Sequence, residues 1–301
     1  MKRIGVIGGI AVDLEGRPFG ALIPADSNPG TVRISYGGVA RNIAENLYWM
    51  GENQISFFSA IGGDALGKEA IGSLAGIGVD TEGVLTLIEE RTAMYLSILD
   101  EGGEMTLALS DMSVLEHITP GDIQTFALAL RGVPVIALDA NLTEEALAYC
   151  GECFADRRIF IDPVSVEKAR RIRPVLSCCY ALKPNRLEAE ALAGFEIRSD
   201  RDLETAGAYF LNHGVRMVFI SLGKDGVFYM DASTCGRVYP PRTDRPVSVT
   251  GAGDAMSAAI ADGIARDMAI RSIAENAVRA GSLAIQVQEP VNRSLGANWT
   301  R

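Results

Sequence analysis

Late in the chain, Thr250-Gly251-Ala252-Gly253-Asp254 runs directly into Ala255–Ala265, a stretch rich in Ala and Ile at helical spacing. Small residues at a helix mouth let several backbone N–H groups converge on one anion, and the helix dipole favours negative charge there. A migrating phosphoryl group has that requirement, because its transfer is catalysed mostly by positioning and charge stabilisation. Asp254 stands just inside the helix start. It is placed to take the proton of an attacking hydroxyl while the amides of Gly251, Ala252 and Gly253 hold phosphoryl oxygens. A helix N-terminus lowers a carboxylate pKa, so the position predicts a base that orients the hydroxyl and accepts its proton late. The same Asp would also serve as a simple cap after a flexible turn. The Gly-x4-Gly-Lys-Ser/Thr loop of other nucleotide enzymes is absent. Gly8-Gly9-Ile10-Ala11 lacks the Gly-x-Gly-x-x-Gly spacing, which removes an NAD-dependent oxidoreductase.

Three further constellations carry chemistry. Tyr36-Gly37-Gly38-Val39-Ala40-Arg41-Asn42 opens the first long helix. Its two glycines permit close backbone approach, and Asn42, about one turn in, offers an amide that both donates to and accepts from sugar hydroxyls. Asp13, after the first strand, is an acceptor suited to a vicinal diol. Next, Lys183-Pro184-Asn185-Arg186-Leu187-Glu188 places Asn185 and Glu188 three apart on one face of a helix start. Their oxygens suit Mg2+ through intervening waters, and a capping box fits nearly as well. Finally, Ser221-Leu222-Gly223-Lys224-Asp225-Gly226 reads as a strand end and tight turn able to pass under a nucleotide, or as an ordinary hairpin turn.

These residues need elements to hold them. Short apolar runs at Ile4–Ile7, Ile55–Ala60, Val133–Leu138, Arg158–Ile161, Tyr180–Leu182 and Met217–Ser221 read as strands. Helical patterns at Val39–Met50, Leu66–Ala75, Glu144–Phe154, Val166–Leu176, Arg186–Ala193 and Leu203–His213 follow several of them. Such alternation predicts an α/β parallel sheet, whose ligand crevice lies at the carboxyl ends of the strands. Those ends are polar or glycine-rich here, as in Asp139-Ala140-Asn141, Asp162-Pro163 and Leu222-Gly223. Ala11–Arg33 lacks helical periodicity, and Thr92–Leu109 reads as a β-hairpin around Asp100-Glu101-Gly102-Gly103. Both segments predict a small sheet projecting from one domain.

Composition narrows the class. Hydrophobic residues at 48% with charged residues at 22% describe a soluble globular protein, and no apolar run approaches the roughly 18 residues of a membrane span. Met1-Lys2-Arg3 leads straight into a strand-like run, so no signal peptide is read and a cytoplasmic protein is expected. The net charge of −10, from 28 basic and 38 acidic residues, argues against nucleic acid as a partner while leaving room for a small anion held by amides. Five cysteines with two distant histidines fit reduced structural thiols rather than a zinc site.

Taken in this order, the motifs resemble the ribokinase-like (PfkB) family of carbohydrate and nucleoside kinases across essentially the whole chain. Gly37-Gly38 through Asn42 is similar to the family's N-terminal signature, Asn185-x-x-Glu188 to its magnesium and phosphate motif, and Gly251–Asp254 to its anion hole and base. The resemblance implies a three-layer α/β/α domain over 1–301 with a β-sheet lid, at about 11–33 and 92–112, that packs against a second subunit. It implies that Asp13, Gly38 and Asn42 hold the sugar, that Asp254 deprotonates its primary hydroxyl, and that Ser221, Gly223, Gly226 and Asn276 line the ATP site. Asp26-Ser27-Asn28-Pro29-Gly30, Ser110-Asp111-Met112 and Asp162-Pro163-Val164-Ser165 extend the likeness to members acting on the 5′-hydroxyl of pseudouridine, with Asp26 and Ser27 near the base. Lys168, just after that last stretch, is expected as a surface lysine on a helix, with reach to the substrate as the alternative. Ser248-Val249 stands where the family usually has Asp-Thr, which leaves a monovalent cation requirement open, and Gly62 closes the N-terminal signature one residue late.

Overall fold

The computed structural model describes residues 2–51, 53–241 and 246–299; the ends of the expected 1–301 domain lie outside the described residues. Strands β1 (Lys2–Ile7), β2 (Ala11–Pro18) and β3 (Gly30–Gly37) precede helix α1 (Val39–Trp49). Then come β4 (Asn53–Gly62), α2 (Ala65–Ala75), β5 (Asp80–Leu87), β6 (Met94–Leu99) and β7 (Met105–Asp111). The central part holds α3 (Pro120–Ala129), β8 (Val135–Asp139), α4 (Glu144–Cys153), β9 (Arg158–Asp162), α5 (Val166–Ala169), β10 (Cys179–Leu182) and α6 (Arg186–Ala193). The chain closes with α7 (Asp200–Asn212), β11 (Met217–Ser221), β12 (Val227–Asp231), β13 (Cys235–Val238), α8 (Ala252–Ala265), α9 (Ile270–Ala284) and α10 (Leu295–Trp299).

The main sheet has the order β13-β12-β11-β10-β9-β8-β1-β4-β5. It is parallel from β11 to β5, and β12 and β13 add an antiparallel edge. Strand β8 shows why both faces are covered. Val135 and Ala137 enter one core with α1, α2, α8 and α9, while Ile136 and Leu138 enter the other with α3, α4, α6 and α7. A period of two with no polar break demands helices on each side, which gives three layers. Strand order reverses between β1 and β8, so the crevice opens at their carboxyl ends.

The two aperiodic segments pair as a second sheet, in the order β3-β2-β6-β7. Register sorts its faces. Ile34, Leu14, Leu96 and Leu109 lie directly across from one another, as do Val32, Gly16, Ile98 and Leu107. The alternate rows carry Ser35, Asp13, Tyr95 and Ser110. One face is therefore apolar and the other polar.

Local chemistry moves some element ends from their expected positions. The helix expected over Val166–Leu176 is α-helical only to Ala169 and continues as 3-10 over Arg170–Cys178, which contains Pro174. Pro supplies no N–H and clashes with the preceding turn, so the α-helical ladder stops short. In contrast, α7 begins three residues early, because Ser199 and Asp202 form a capping box.

Candidate active site

Four polar side chains stand at the carboxyl ends of adjacent strands: Asp139 on β8, Asp162 on β9, Lys183 just beyond β10 and Ser221 on β11. Asp139 is wholly buried. Its carboxylate accepts from Gly9 N (3.0 Å), Ala40 N (2.8 Å), Asn141 N (2.9 Å) and Asn141 Nδ2 (2.9 Å). One side chain thus ties the turn after β1 to the first turn of α1. Burial pushes its pKa up, and the four hydrogen bonds work against that. Its linking role was missed in the sequence, where it stands out only as an acid closing an apolar strand.

The two ends of the chain meet across this edge. Asn42 on α1 donates from Nδ2 to Asp254 Oδ2 at 2.8 Å. Asp13 packs against Gly37 so closely that a Cβ there would lie 2.1 Å from Asp13 Oδ2. The lid strand therefore delivers its acid to the start of α1 only because that residue has no side chain. Burial raises the Asp13 pKa to about 6, with the Arg41 charge pulling the other way.

At the mouth of α8, Gly251 is the N-cap in the left-handed region (φ 80), and a Cβ on it would fall 1.9 Å from the Pro290 carbonyl oxygen. Only glycine fits. No side chain caps this end; Ala252 N makes only a long 3.5 Å bond to Val249 O, so the first amides of α8 are open to a ligand. Beside Gly253 the nearest atom to an added Cβ is Lys183 Nζ at 3.4 Å. Asp254 is half-buried, with its pKa raised to about 7. Burial is the main cause and the Asp162 charge the next, opposed by the Asn42 hydrogen bond and Lys183. The lowered pKa expected from the helix dipole is thus reversed, because desolvation and a like charge outweigh a partial charge at the terminus.

Lys183 is buried, 3.0 Å from Asp162 Oδ2, and Ser257 on α8 donates to the same oxygen at 2.6 Å. Burial pulls the lysine pKa down, but the carboxylates of Asp162, Glu188 and Asp254 hold it above its usual value. Asn185 and Glu188 form a complete capping box: Asn185 N and Nδ2 donate to Glu188 at 2.8 and 2.7 Å, and Glu188 N donates back at 2.9 Å. Burial and then Asp162 push the Glu188 pKa up to about 7. No cluster of three or more His, Cys, Asp or Glu suited to a metal occurs among the described residues. A buried carboxylate whose oxygens already accept from Asn185 fits Mg2+ held mainly by phosphate and water, not an all-protein cage.

Of the residues expected around ATP, Asn185, Ser221 and Gly223 line one cavity of about 440 Å³ together with Arg186, Lys224 and Arg237. Gly226 lies instead beneath β13, against the Val238 carbonyl, at the head of the β11–β12 hairpin. Asn276 sits on α9 with Nδ2 3.7 Å from Met268 Sδ. Neither lines that cavity. Asp26 and Ser27 are exposed in the loop between β2 and β3, bonded to one another at 2.7 Å, and Asn28 closes the loop onto Ile23. They lie on the lid, apart from the strand-end cluster. Lys168 is not the surface side chain expected: it is half-buried, with Nζ 2.7 Å from Asn141 Oδ1. Val164, β-branched at φ 68, marks local strain in the turn leading to it.

The chain as a whole is similar to known proteins. The pfkB family carbohydrate kinase model covers residues 1–295. The pseudouridine kinase of Escherichia coli (strain K12) is 38% identical over 85% of this chain and 82% of its own. A carbohydrate kinase from Agrobacterium tumefaciens superposes with a TM-score of 0.87 at 27% identity, covering 99% of this chain and 95% of its own. An Arabidopsis thaliana ribokinase complexed with ribose and ATP shares the fold, with a TM-score of 0.84, 18% identity and 99% coverage of both chains. No helix among the described residues is long and apolar enough to cross a membrane. The family model over nearly the whole chain and the likeness to a pseudouridine kinase identify a phosphotransferase with an alcohol acceptor, and the chain belongs to the pfkB family of carbohydrate kinases.

Proposed function

We propose that this kinase transfers the γ-phosphoryl group of ATP to the 5′-hydroxyl of pseudouridine. The observation that carries the reading is the Asn42–Asp254 hydrogen bond at the mouth of α8, where a sugar-binding amide and a base share one point. Likeness to the Escherichia coli pseudouridine kinase supports the choice of nucleoside.

In this mechanism Asp13, Gly38 and Asn42 hold the ribose. Asp254, ionised, accepts the proton of the 5′-hydroxyl. The freed oxygen forms a bond to the γ-phosphorus as the bond to the bridging oxygen breaks, and ADP leaves with that electron pair. Amides of Gly251, Ala252 and Gly253 meet the equatorial oxygens, and the buried Lys183 charge lies close by. A base with a pKa near the working pH is well matched to this proton transfer. Asn185, Ser221, Gly223, Gly226 and Asn276 would flank the nucleotide. Glu188 and Asn185 would hold Mg2+ through water, and that ion would neutralise phosphate charge. A C-linked uracil presents two N–H donors and two carbonyls. Lys168, held by Asn141, would offer a donor, and Asp26 and Ser27 would offer acceptors from the lid.

The apolar lid face supports a homodimer. Val32, Ile34, Leu107 and Leu109 are all more than half exposed on it, and a second lid would cover them.

A coupled ADP-release assay across pseudouridine, uridine, adenosine and ribose tests the assignment. Fastest turnover of pseudouridine is expected. Equal or faster turnover of another acceptor would reassign the substrate, and no ADP from any of them would leave a nucleoside-binding protein without chemistry.

A further inference from the structure

Arg41 and Glu45 are 3% and 2% exposed, an ion pair sealed beneath the substrate end of α1 with Nη1 and Oε2 2.5 Å apart. Breaking even is the usual yield of such a pair, since desolvation offsets most of the attraction. Its contacts suggest what else it does. Nη1 also reaches Asn42 Oδ1 at 3.3 Å, and Nη2 reaches Ser73 Oγ on α2 at 3.2 Å. Ser73 in turn donates to Ala70 O, and Glu45 accepts from Trp49 Nε1 and from Arg293 Nε at 3.1 Å. The guanidinium is clamped from three sides, with its Nε left without a partner.

An asparagine amide can present either its oxygen or its nitrogen to a neighbour, by a half-turn of the side chain. Turned the wrong way, Asn42 would set Oδ1 against the Asp254 carboxylate, acceptor against acceptor. A guanidinium has only donors. Beside it the amide must keep Oδ1 toward Arg41, which leaves Nδ2 for Asp254.

We propose that Arg41 is the positioning residue of this site: braced by Glu45 and Ser73, it sets the rotation of the Asn42 amide and so aims Asn42 at Asp254. The proposal rests on the reading of Asp254 as the base. It adds a residue that touches neither substrate nor phosphate yet governs the pair that does.

Replacing both buried charges, as Arg41→Met with Glu45→Leu, avoids leaving either one uncompensated, and the largely exposed Arg293 keeps water as a partner. The expected result is a cooperative thermal melt close to wild type with kcat lowered about 100-fold, the scale of a misplaced catalytic group. Adding Asn42→Ala to this variant should lower kcat no further, because both changes remove the same aimed donor, while KM rises with the loss of the ribose contact that Asn42 makes. Arg41→Lys, which keeps the charge but not the fork, should fall between wild type and the double variant, and it supplies the comparison if the double variant does not fold. Wild-type kcat in a folded Arg41 variant, or kcat losses that multiply with Asn42→Ala, would overturn the proposal. The side-chain amide resonance of Asn42, identified by its disappearance in Asn42→Ala, reports independently of turnover. It should shift in the Arg41 variants, and an unmoved signal would also overturn the proposal. If the wild type releases no ADP with any acceptor, the kinase reading fails instead, and the amide resonance still decides the role of Arg41.

Discussion

Lys183 Nζ lies 3.0 Å from Asp162 Oδ2, and both side chains are almost wholly shielded from water between the anion cradle of α8 and the first turn of α6. The lysine faces three carboxylates, that of Asp162 at the end of β9 and those of Glu188 and Asp254 in the first turns of α6 and α8. Removing it leaves a buried carboxylate uncompensated, at a cost of about 3–5 kcal/mol. Lys183→Met should therefore lose stability on that scale in urea denaturation, and Lys183→Met with Asp162→Asn should recover most of it. A double variant as unstable as the single one would show that the lysine stabilises by packing rather than by charge.

Asp254→Asn keeps the shape of the site and removes the proton acceptor. Turnover should fall by about 10²–10⁴-fold, the range for a lost general base. Nucleoside binding, measured by calorimetry, should stay close to wild type. Full turnover in the variant would take the base role from Asp254.

The raised pKa values set a pH dependence with a definite sign. Asp254 acts ionised, so kcat/KM should fall as pH drops through about 7. Stability runs the opposite way. Between its ordinary value of 3.8 and about 7, the folded protein holds a proton on Asp254 that the unfolded chain has released. This group's contribution to stability therefore declines as pH rises across that window, and Glu188 adds a decline of the same sign. Urea midpoints should be less pH-dependent in Asp254→Asn than in wild type between pH 4 and pH 7. Equal slopes in the two proteins would mean that Asp254 titrates normally.

Gly251→Ala puts a methyl against the Pro290 carbonyl on a left-handed backbone. The conformation alone costs about 1–2 kcal/mol, and the clash must displace either the cradle or the Pro290 segment. Lower thermal stability and a loss of turnover are both expected. A variant with an unchanged melt and unchanged kcat would show that the amides of α8 do not need this geometry.

A lysine at Leu107 or Ile34 places charge in the centre of the apolar lid face. Light scattering should give twice the chain mass for wild type and a smaller mass for either variant. A wild-type monomer would remove the lid dimer.

Much of the architecture was legible beforehand. The strand at Met217–Ser221 and the helix at Arg186–Ala193 match to the residue, because an apolar run bounded by turn residues, or a capping box, is written locally. Strands β5, β12 and β13 went unread, since short mixed runs such as Asp80–Leu87 gain their strand character from a neighbour and not from a pattern of their own. Helices α3 and α9 went unread too, although the Thr119–Asp122 capping box of α3 is a local signal. The antiparallel pairing of β6 with β7 was expected from the turn between them. The parallel pairing of β2 with β6, which joins the two lid segments, spans too much chain for any local signal.

The residue types of the site, and the spacing of Gly251, Gly253 and Asp254 along one helix start, follow from sequence alone, because a helix mouth is built from consecutive residues. The proton affinity of Asp254 does not. It depends on Asp162, Lys183 and Asn42, which arrive from three other elements, and on water excluded by all of them. Helix geometry by itself points to a lowered pKa, and only the assembled surroundings turn that to about 7. Desolvation and charge pairing are sums over neighbours in space, so they exist only once the chain has folded.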